Sequence, residues 1–226
     1  MKQEKIFDVT RYGAIPDGIT LNTRAVQHVI DLCEREGGGT VFFPDGSFVL
    51  STVFLKSNIR IKLSEKALIL GSLNLSDYCK DEELNYPLYQ DVSHSHFHCS
   101  MFVGIDCGNI VIEGKGKIDM RSVWDDGNLR GNAHRGAKCI ALKNCKNVTI
   151  KDLTIHNATD LAVYFAGCEN VDVHGLNLRV YIDGISPDNC KNVRIFDCNM
   201  ETGDDSIVFK SSYTLNRLDI CKDIKV

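Results

Sequence analysis

The sequence lacks the paired cysteines that mark a structural zinc site, although cysteine itself is common. Ten cysteines occur among 226 residues, and no two of them form a Cys-x-x-Cys pair. Several recur at equivalent positions of a repeat described below, as small buried apolar side chains do, rather than clustering as a disulfide framework. We therefore expect reduced thiols and no structural zinc site. No other metal and no cofactor are expected.

A long hydrophobic run, a secretory leader and a basic stripe are also missing. No window approaches the roughly 18 apolar residues that span a bilayer, and residues 1–10 contain no apolar core. The formal net charge is −4, and lysine and arginine are not interleaved with aromatics. These absences predict a cytoplasmic protein, or a secreted one if the N-terminus is processed, with neither nucleic acid nor a membrane as its partner. The oligomeric state stays open.

Helical spacing of apolar residues occurs strongly only once, between Asn22 and Glu36. Asn22 is placed to cap this helix, and three consecutive glycines from Gly37 end it. Short β-rich runs follow, broken by turn residues, at 40–43, 48–50, 52–55, 58–63 and 67–70. A lone helix ahead of many short strands is not the alternation typical of an α/β sheet, and it favours an all-β fold.

The second half contains an internal repeat that decides the predicted fold. Four segments, each starting two residues after a cysteine, read Asn-Ile-Val-Ile, Asn-Val-Thr-Ile, Asn-Val-Asp-Val and Asn-Val-Arg-Ile; they begin at Asn109, Asn147, Asn170 and Asn192. A fifth copy begins at Asp223. The first and last intervals are long, and the two between them are shorter and nearly equal. This shorter period, with two alternating strands per copy, is typical of one coil of a parallel β-helix.

We predict an all-β, right-handed parallel β-helix whose N-terminal end is capped by the helix. Residues 1–226 would form a single domain, with the cap and first coils in 1–75 and the central coils in 76–226. The sequence stops in mid-coil, so we expect a fragment that is incomplete at its C-terminal end. A leucine-rich repeat is the main alternative, but it expects Leu-x-x-Leu-x-Leu where this sequence has Val-x-Ile. Coincidental repetition in a β-sandwich is the other alternative.

Acidic residues recur in register with the repeat. Asp160, Asp183 and Asp205 each lie thirteen residues after a repeat asparagine, and Asp204 adjoins the last of them. This column predicts carboxylates on successive coils whose mutual repulsion raises at least one pKa. Glycoside hydrolysis uses such a group, because it needs a protonated acid beside ionised carboxylates. A solvated turn rich in aspartate, or a calcium site, fits the bare pattern equally well.

Several motifs resemble those of glycoside hydrolase family 28, the polygalacturonases. The most specific are Asp183-Gly-Ile-Ser-Pro-Asp-Asn-Cys190 and Gly203-Asp-Asp-Ser206; less specific ones are Tyr12-Gly-Ala14 with Asp17-Gly18, Gly38-Gly-Thr-Val41 with Phe43-Pro44, and Gly114-Lys-Gly-Lys-Ile-Asp119. The resemblance covers essentially the whole chain. It implies an inverting hydrolase of pectin-like acidic polysaccharide or oligosaccharide, without a metal. Asp204 would be the general acid, and Asp183 and Asp205 would hold and activate the water.

The sequence also departs from the family pattern. Tyr181-Ile182-Asp183 stands where the family usually has Asn-Thr-Asp, which leaves the exact substrate open. The family's Gly-His-Gly and Arg-x-Lys motifs, expected after the aspartates, do not occur before the last residue. We therefore expect this chain alone to be weakly active or inactive.

Other residues are candidates for substrate contacts. Lys210 is able to reach an anionic sugar, with a solvated surface position equally open. Tyr181 and Trp124 are able to stack on a sugar ring, with a packing role equally open. His134 lies in a glycine-rich loop that would overhang a groove. His96 would lie with His94 and His98 on one face of a strand, which we interpret as a polar groove face rather than a metal site.

Two functions of other classes compete with hydrolysis. A non-catalytic β-helix that binds polysaccharide would need no acidic cluster. A pectate-lyase-like enzyme would use calcium and an arginine base, and would leave an unsaturated product.

Overall fold

The structure is a computed structural model that describes residues 5–87, 92–95, 97–125, 135–217 and 219–226. The first part contains β1 (Ile6–Asp8), a 3₁₀ turn (Val9–Tyr12), β2 (Asp17–Leu21), α1 (Thr23–Arg35), β3 (Gly39–Phe43), β4 (Gly46–Leu50), β5 (Val53–Phe54), β6 (Ile59–Leu63) and β7 (Ala67–Gly71). The middle contains a 3₁₀ turn (Leu75–Asp77), α2 (Val92–Ser95), β8 (Ser100–Ile105), β9 (Gly108–Gly114), β10 (Lys117–Asp119), β11 (Lys138–Lys143), β12 (Lys146–Lys151) and β13 (Thr154–His156). The last part contains β14 (Val163–Ala166), β15 (Glu169–His174), β16 (Asn177–Val180), β17 (Ile185–Asp188), β18 (Lys191–Phe196), β19 (Asn199–Thr202) and β20 (Lys222–Lys225).

These strands form three parallel sheets that run the length of the solenoid. The first sheet has the order β1-β3-β6-β9-β12-β15-β18-β20, the second β19-β16-β13-β10-β7-β4-β2, and the third β17-β14-β11-β8-β5. Each full coil adds one strand to each sheet, so equivalent residues stack one strand spacing, about 4.8 Å, apart. The fold is a right-handed parallel β-helix, as the repeat predicts.

Alternation along each strand builds the core. In β12 the side chains of Val148 and Ile150 are buried, while Asn147 and Thr149 between and beside them face outward. The paired strands β15 and β18 place Val171 and Val193 in line with Val148. Inward columns of β-branched residues therefore fill the interior of these coils.

The repeat asparagines form a ladder at the corner between the third and first sheets. The side-chain amides of Asn109, Asn147, Asn170 and Asn192 each donate to the carbonyl oxygen of the asparagine one coil earlier, at 2.7–3.1 Å; the first acceptor is Asn58. All five have positive φ, between 55° and 61°. Asparagine tolerates this left-handed backbone better than most residues, so the corner needs both its conformation and its side chain.

The cysteines that precede the ladder lie inside the coil. Cys107, Cys145, Cys168 and Cys190 are buried, and their thiols donate to backbone carbonyls nearby. All ten cysteines are free thiols. Burial raises the pKa of helix residue Cys33 to about 11, which keeps that thiol protonated.

Helix α1 covers the N-terminal end of the third sheet, next to β5. Its buried face consists of Val26, Val29, Ile30 and Cys33. The prediction for Asn22 needs a correction: it stands at the N-cap position, but its side chain makes no capping bond to the helix. Instead its amide bonds both the N–H and the carbonyl of Ile15 and the carbonyl of Thr20, at 2.6–3.0 Å. It fixes the turn before the helix.

The segment between β7 and β8 differs from the prediction of a histidine-bearing strand. His94 lies in α2, His98 forms only an isolated antiparallel bridge with Asp81, and His96 lies outside the described residues. The His94 ring packs edge-on against Tyr164, 5.6 Å between centroids, on the outer face of the third sheet. His94 and His98 therefore do not share one strand face. Among the described helices, none is long and apolar enough to cross a membrane.

Candidate active site

Three carboxylates meet at the corner where the second sheet passes into the third. Ile185 forms a parallel bridge with Ile207, which aligns the turn carrying Asp183 with the turn carrying Asp205 on the next coil. The Asp205 N–H donates to Oδ1 of Asp183 at 3.3 Å. One oxygen from each of Asp183, Asp204 and Asp205 lies within 4.8 Å of the others. The counted register thus brings together residues that are a full coil apart in the sequence.

A bend at Gly203 lets Asp204 face the same side as Asp205. Neighbours on a strand point to opposite faces, but β19 ends at Thr202 and the chain bends over residues 203 and 204. The Thr202 hydroxyl holds the bend by donating to the Asp204 carbonyl at 2.9 Å. A Cβ on Gly203 would lie 2.1 Å from the Tyr181 carbonyl oxygen, so this close approach of two coils requires glycine.

Asp183 is the buried carboxyl of the cluster, and its environment shifts its pKa. Asp183 is only 5% exposed, whereas Asp204 and Asp205 are exposed. Burial, followed by the negative charge of Asp204, raises the pKa of Asp183; a nearby His94 and the N–H of Asp205 partly oppose the shift. The geometry therefore favours a shared proton within the cluster, as carboxylates in such proximity require.

Comparison with known proteins assigns the chain to a family. The model for glycosyl hydrolases family 28 matches residues 39–221, which is most of the chain and includes all three aspartates. The chain belongs to this family. Its fold is that of the polygalacturonase-type glycoside hydrolases.

Three similar proteins illustrate the range of the relatives. An exo-poly-α-D-galacturonosidase of Dickeya chrysanthemi is 29% identical over 91% of this chain and 42% of its own length. A family 28 exopolygalacturonase structure from Yersinia enterocolitica aligns with a TM-score of 0.82 at 25% identity, over 98% of this chain and 48% of that one. A plasmin and fibronectin-binding protein A of Streptococcus pneumoniae is 28% identical over 75% of this chain and 23% of its own length. The chain thus spans less than half the length of each of them.

Asp160 does not belong to the acidic cluster of this family 28 chain, contrary to the prediction from spacing. Val163 pairs with Ile185, so the residue opposite Asp183 is Leu161, and Asp160 is one position out of register. Its side chain has no exposed surface and forms a 3.2 Å ion pair with Lys138, which is equally buried. A carboxylate in this environment supports the turn and is not available to a sugar.

The remaining predicted contacts have separate locations. Lys210 follows the aspartates on the third sheet, where its backbone pairs with Asp188. Tyr181 is half exposed beside the cluster, and its ring contacts Trp124. His96 and His134 lie outside the described residues.

Three polar residues beside the cluster escaped the sequence analysis. His156, Arg179 and Glu201 line a cleft of about 440 Å³ together with Tyr181 and Gly203. They pair in register on β13, β16 and β19. Their spacings equal those of the last three repeat asparagines. Counting from those asparagines to the outward-facing strand positions would therefore have found them.

The three carboxylates are also the chemically suitable group for a hard cation. Calcium takes about six to eight oxygen ligands, and Asp183, Asp204 and Asp205 offer one oxygen each within 4.8 Å. Waters or substrate would have to supply the rest. The same oxygens suit proton transfer and water binding without a metal.

Proposed function

We propose that this protein hydrolyses glycosidic bonds in a pectin-type acidic polysaccharide or oligosaccharide with inversion at the anomeric carbon. Asp204 would protonate the leaving oxygen, and Asp183 and Asp205 would hold and activate the attacking water. The observation that carries the proposal is the meeting of these three carboxylates within 4.8 Å. Because the chain spans under half the length of the three similar proteins described above, the activity of the whole protein is part of this proposal.

Protonation is the step that the proposed roles must explain. The raised pKa is that of the buried Asp183. A sugar bound over the cluster would exclude water from it, and desolvation disfavours the charged form of a carboxylate. Substrate binding would then move the shared proton toward the acid. Asp183, relieved of the proton, would accept one from water.

Inversion is supported by the number of carboxylates. Two carboxyl groups about 6.5–9.5 Å apart are usual for inverting enzymes and about 5–5.5 Å for retaining ones, so the short spacing here would also suit a nucleophile. A third carboxylate changes this expectation, because two neighbouring groups are able to hold one water between them while the other acts as acid. The resemblance to family 28 supports the same assignment.

The test compares Asp204→Asn and Asp205→Asn with the unchanged chain in release of reducing ends from polygalacturonate. Removing a general acid or base should lower the rate by about 10²–10⁴-fold, even if the basal rate is low. Asp106→Asn, an exposed aspartate in a bend elsewhere, is the control and should keep the basal rate. NMR of the first product should show the inverted anomer. An equal rate in Asp204→Asn, or a retained anomer, would refute the assigned roles.

A binding function is the second candidate, because one relative is named for binding plasmin and fibronectin. A non-catalytic β-helix would bind its ligand equally well after Asp204→Asn and would release no reducing ends. An unsaturated product, in contrast, would indicate elimination by a lyase.

A further inference from the structure

The cleft beside the aspartates is built from the same coils as the acidic cluster. Tyr181 and Gly203, two of its lining residues, immediately precede the turns that carry Asp183 and Asp204. Its volume of about 440 Å³ lies in the range of small-molecule sites, about 300–1,000 Å³. The cleft therefore adjoins the turns that carry the carboxylates, so a polysaccharide bound at the carboxylates is able to extend a neighbouring sugar residue over it.

The polar wall of the cleft is a fixed column. His156 pairs with Arg179, and Arg179 pairs with Glu201, on three successive strands of the second sheet. The residues before them, Ile155 and Leu178, are buried in the core. Because neighbours on a strand point to opposite faces, the three polar side chains point outward at intervals of about 4.8 Å.

The charges of this wall balance. The Arg179 guanidinium lies 3.3 Å from the Glu201 carboxylate, and both side chains are largely exposed, at 67% and 73%. Such an exposed pair contributes little stability, so its donors and acceptors are available to a ligand. A sugar carboxylate bound at Arg179 would lie beside Glu201 and be repelled by it, whereas sugar hydroxyls are able to bond both partners.

Two aromatic rings stand beside the polar wall. Trp124 and Tyr181 are 46% and 47% exposed, and their ring centroids lie 5.6 Å apart at 64°. The Ser122 hydroxyl donates to the Tyr181 hydroxyl at 3.3 Å, which restrains the ring. Exposed, restrained aromatic surface next to paired hydrogen-bonding groups is the combination that packs against the apolar face of a pyranose.

We propose that the cleft is a subsite for an uncharged sugar residue, packed against Tyr181 and Trp124 and hydrogen-bonded by Arg179 and Glu201. The inference rests on the proposed function and narrows its substrate class. The preferred chain would carry a neutral sugar next to the uronic acid residue at the cleavage site, instead of being a uniform polyuronide. Arg179 donates to ring hydroxyls, and Glu201 accepts from them. His156 adds a donor or an acceptor as a neutral imidazole.

The experiment measures binding in an Asp204→Asn background, so that no turnover is needed. Two oligosaccharides of equal length are compared by calorimetry: a uniform galacturonate oligomer and one in which galacturonate alternates with a neutral sugar. We expect the alternating oligomer to bind about tenfold more tightly, and Tyr181→Ala to remove most of that difference. Glu201→Gln, which removes the repelling charge, should weaken the preference by improving binding of the uniform oligomer.

Controls separate the subsite from general effects. Phe196→Ala removes an aromatic of similar exposure on the first sheet and should leave both affinities unchanged. Trp124→Ala provides a second aromatic variant if Tyr181→Ala unfolds, as circular dichroism would reveal. Tighter binding of the uniform oligomer, or a preference that survives loss of either aromatic, would overturn the subsite. If the alternating oligomer is not preferred but hydrolysis depends on Asp204, the subsite alone is refuted. If the preference is found but hydrolysis does not depend on Asp204, the proposed function alone is refuted.

Discussion

At the scale of single residues, two buried aspartates on neighbouring coils have opposite environments. Asp183 is buried beside other carboxylates, which raises its pKa. Asp160 is buried beside Lys138, with Arg135 at its edge. The first arrangement disfavours the charged form of the carboxyl group, while the second neutralises a charge that the fold must bury. Two substitutions to asparagine should therefore act differently.

We expect Asp183→Asn to stabilise the protein at neutral pH. Because the pKa of Asp183 is raised on folding, its ionisation costs stability as the pH rises above the ordinary value of 3.8, and the full cost is present above the folded pKa. Asparagine keeps the oxygen that accepts from Asp205 and removes the charge. Denaturant unfolding should show a gain at neutral pH that vanishes below the ordinary pKa.

Asp17→Asn is the control of opposite sign. Backbone N–H donors of Thr20 and Ile19 lower the pKa of Asp17, so its charge stabilises the fold above the ordinary pKa and the benefit is lost in acid. This variant should lose stability at neutral pH. A stability of Asp183→Asn that follows the unchanged protein at every pH would contradict the burial of that charge.

We expect Asp160→Asn to lower the free energy of unfolding by about 3–5 kcal/mol, since it removes the charged partner of the fully buried 3.2 Å ion pair with Lys138. Asp172→Asn is the matched control: its ion pair with Arg194 is partly exposed, at 32% and 55%, and should be worth at most about 1 kcal/mol. Chemical denaturation measures both. A small loss in Asp160→Asn combined with weaker oligosaccharide binding would instead restore Asp160 as a substrate contact.

At the scale of elements, the asparagine ladder adds side-chain hydrogen bonds to the strand pairing that joins successive coils. Each rung combines a left-handed backbone with a side-chain amide that both donates and accepts. Residues without that amide would keep the strain and lose the bonds. The ladder thus fixes the corner at which every coil enters the first sheet, including the coils that carry the aspartates.

Replacing a middle rung should cost more than replacing the last one. Asn147→Ala removes two ladder bonds and places alanine at positive φ, for a loss of about 2–4 kcal/mol. Asn192→Ala has the same backbone penalty but removes one bond, because the next rung is Asp223, whose carboxylate has no N–H to donate. The difference, about 1 kcal/mol by equilibrium unfolding, would isolate one ladder bond. Equal losses would show that backbone strain alone accounts for the effect.

At the scale of the whole molecule, regular spacing made most of the structure predictable. The period between the repeat asparagines leads to the coil, and the same period places Asp183 against Asp205. Resemblance added Asp204, which strand alternation alone would direct away. Its position follows from a bend at Gly203 that no period encodes.

Irregular positions explain what the sequence did not reveal. Successive coils differ in length by a single residue, which moves Asp160 out of register with Asp183. Counting residues from the repeat asparagines does not detect this difference. His94 and His98 lie in the connection between β7 and β8 and outside the repeated strands, so they had no register to follow. Arg179 and Glu201 do follow the register of the repeat. Outward polar residues on strands are usually solvated, however, and the cleft beside these two, which distinguishes them, is visible only in the structure.

The three acidic residues come from two adjoining turns. The length of the solenoid is therefore able to change independently of the turns that carry them. Duplicating one whole winding elsewhere would lengthen the path available to a polymer by about 4.8 Å and leave the reacting corner untouched. Gaining or losing a few residues would be absorbed where the chain changes sheets. The number of coils is thus able to change while the turns that carry Asp183, Asp204 and Asp205, the proposed catalytic residues, stay the same.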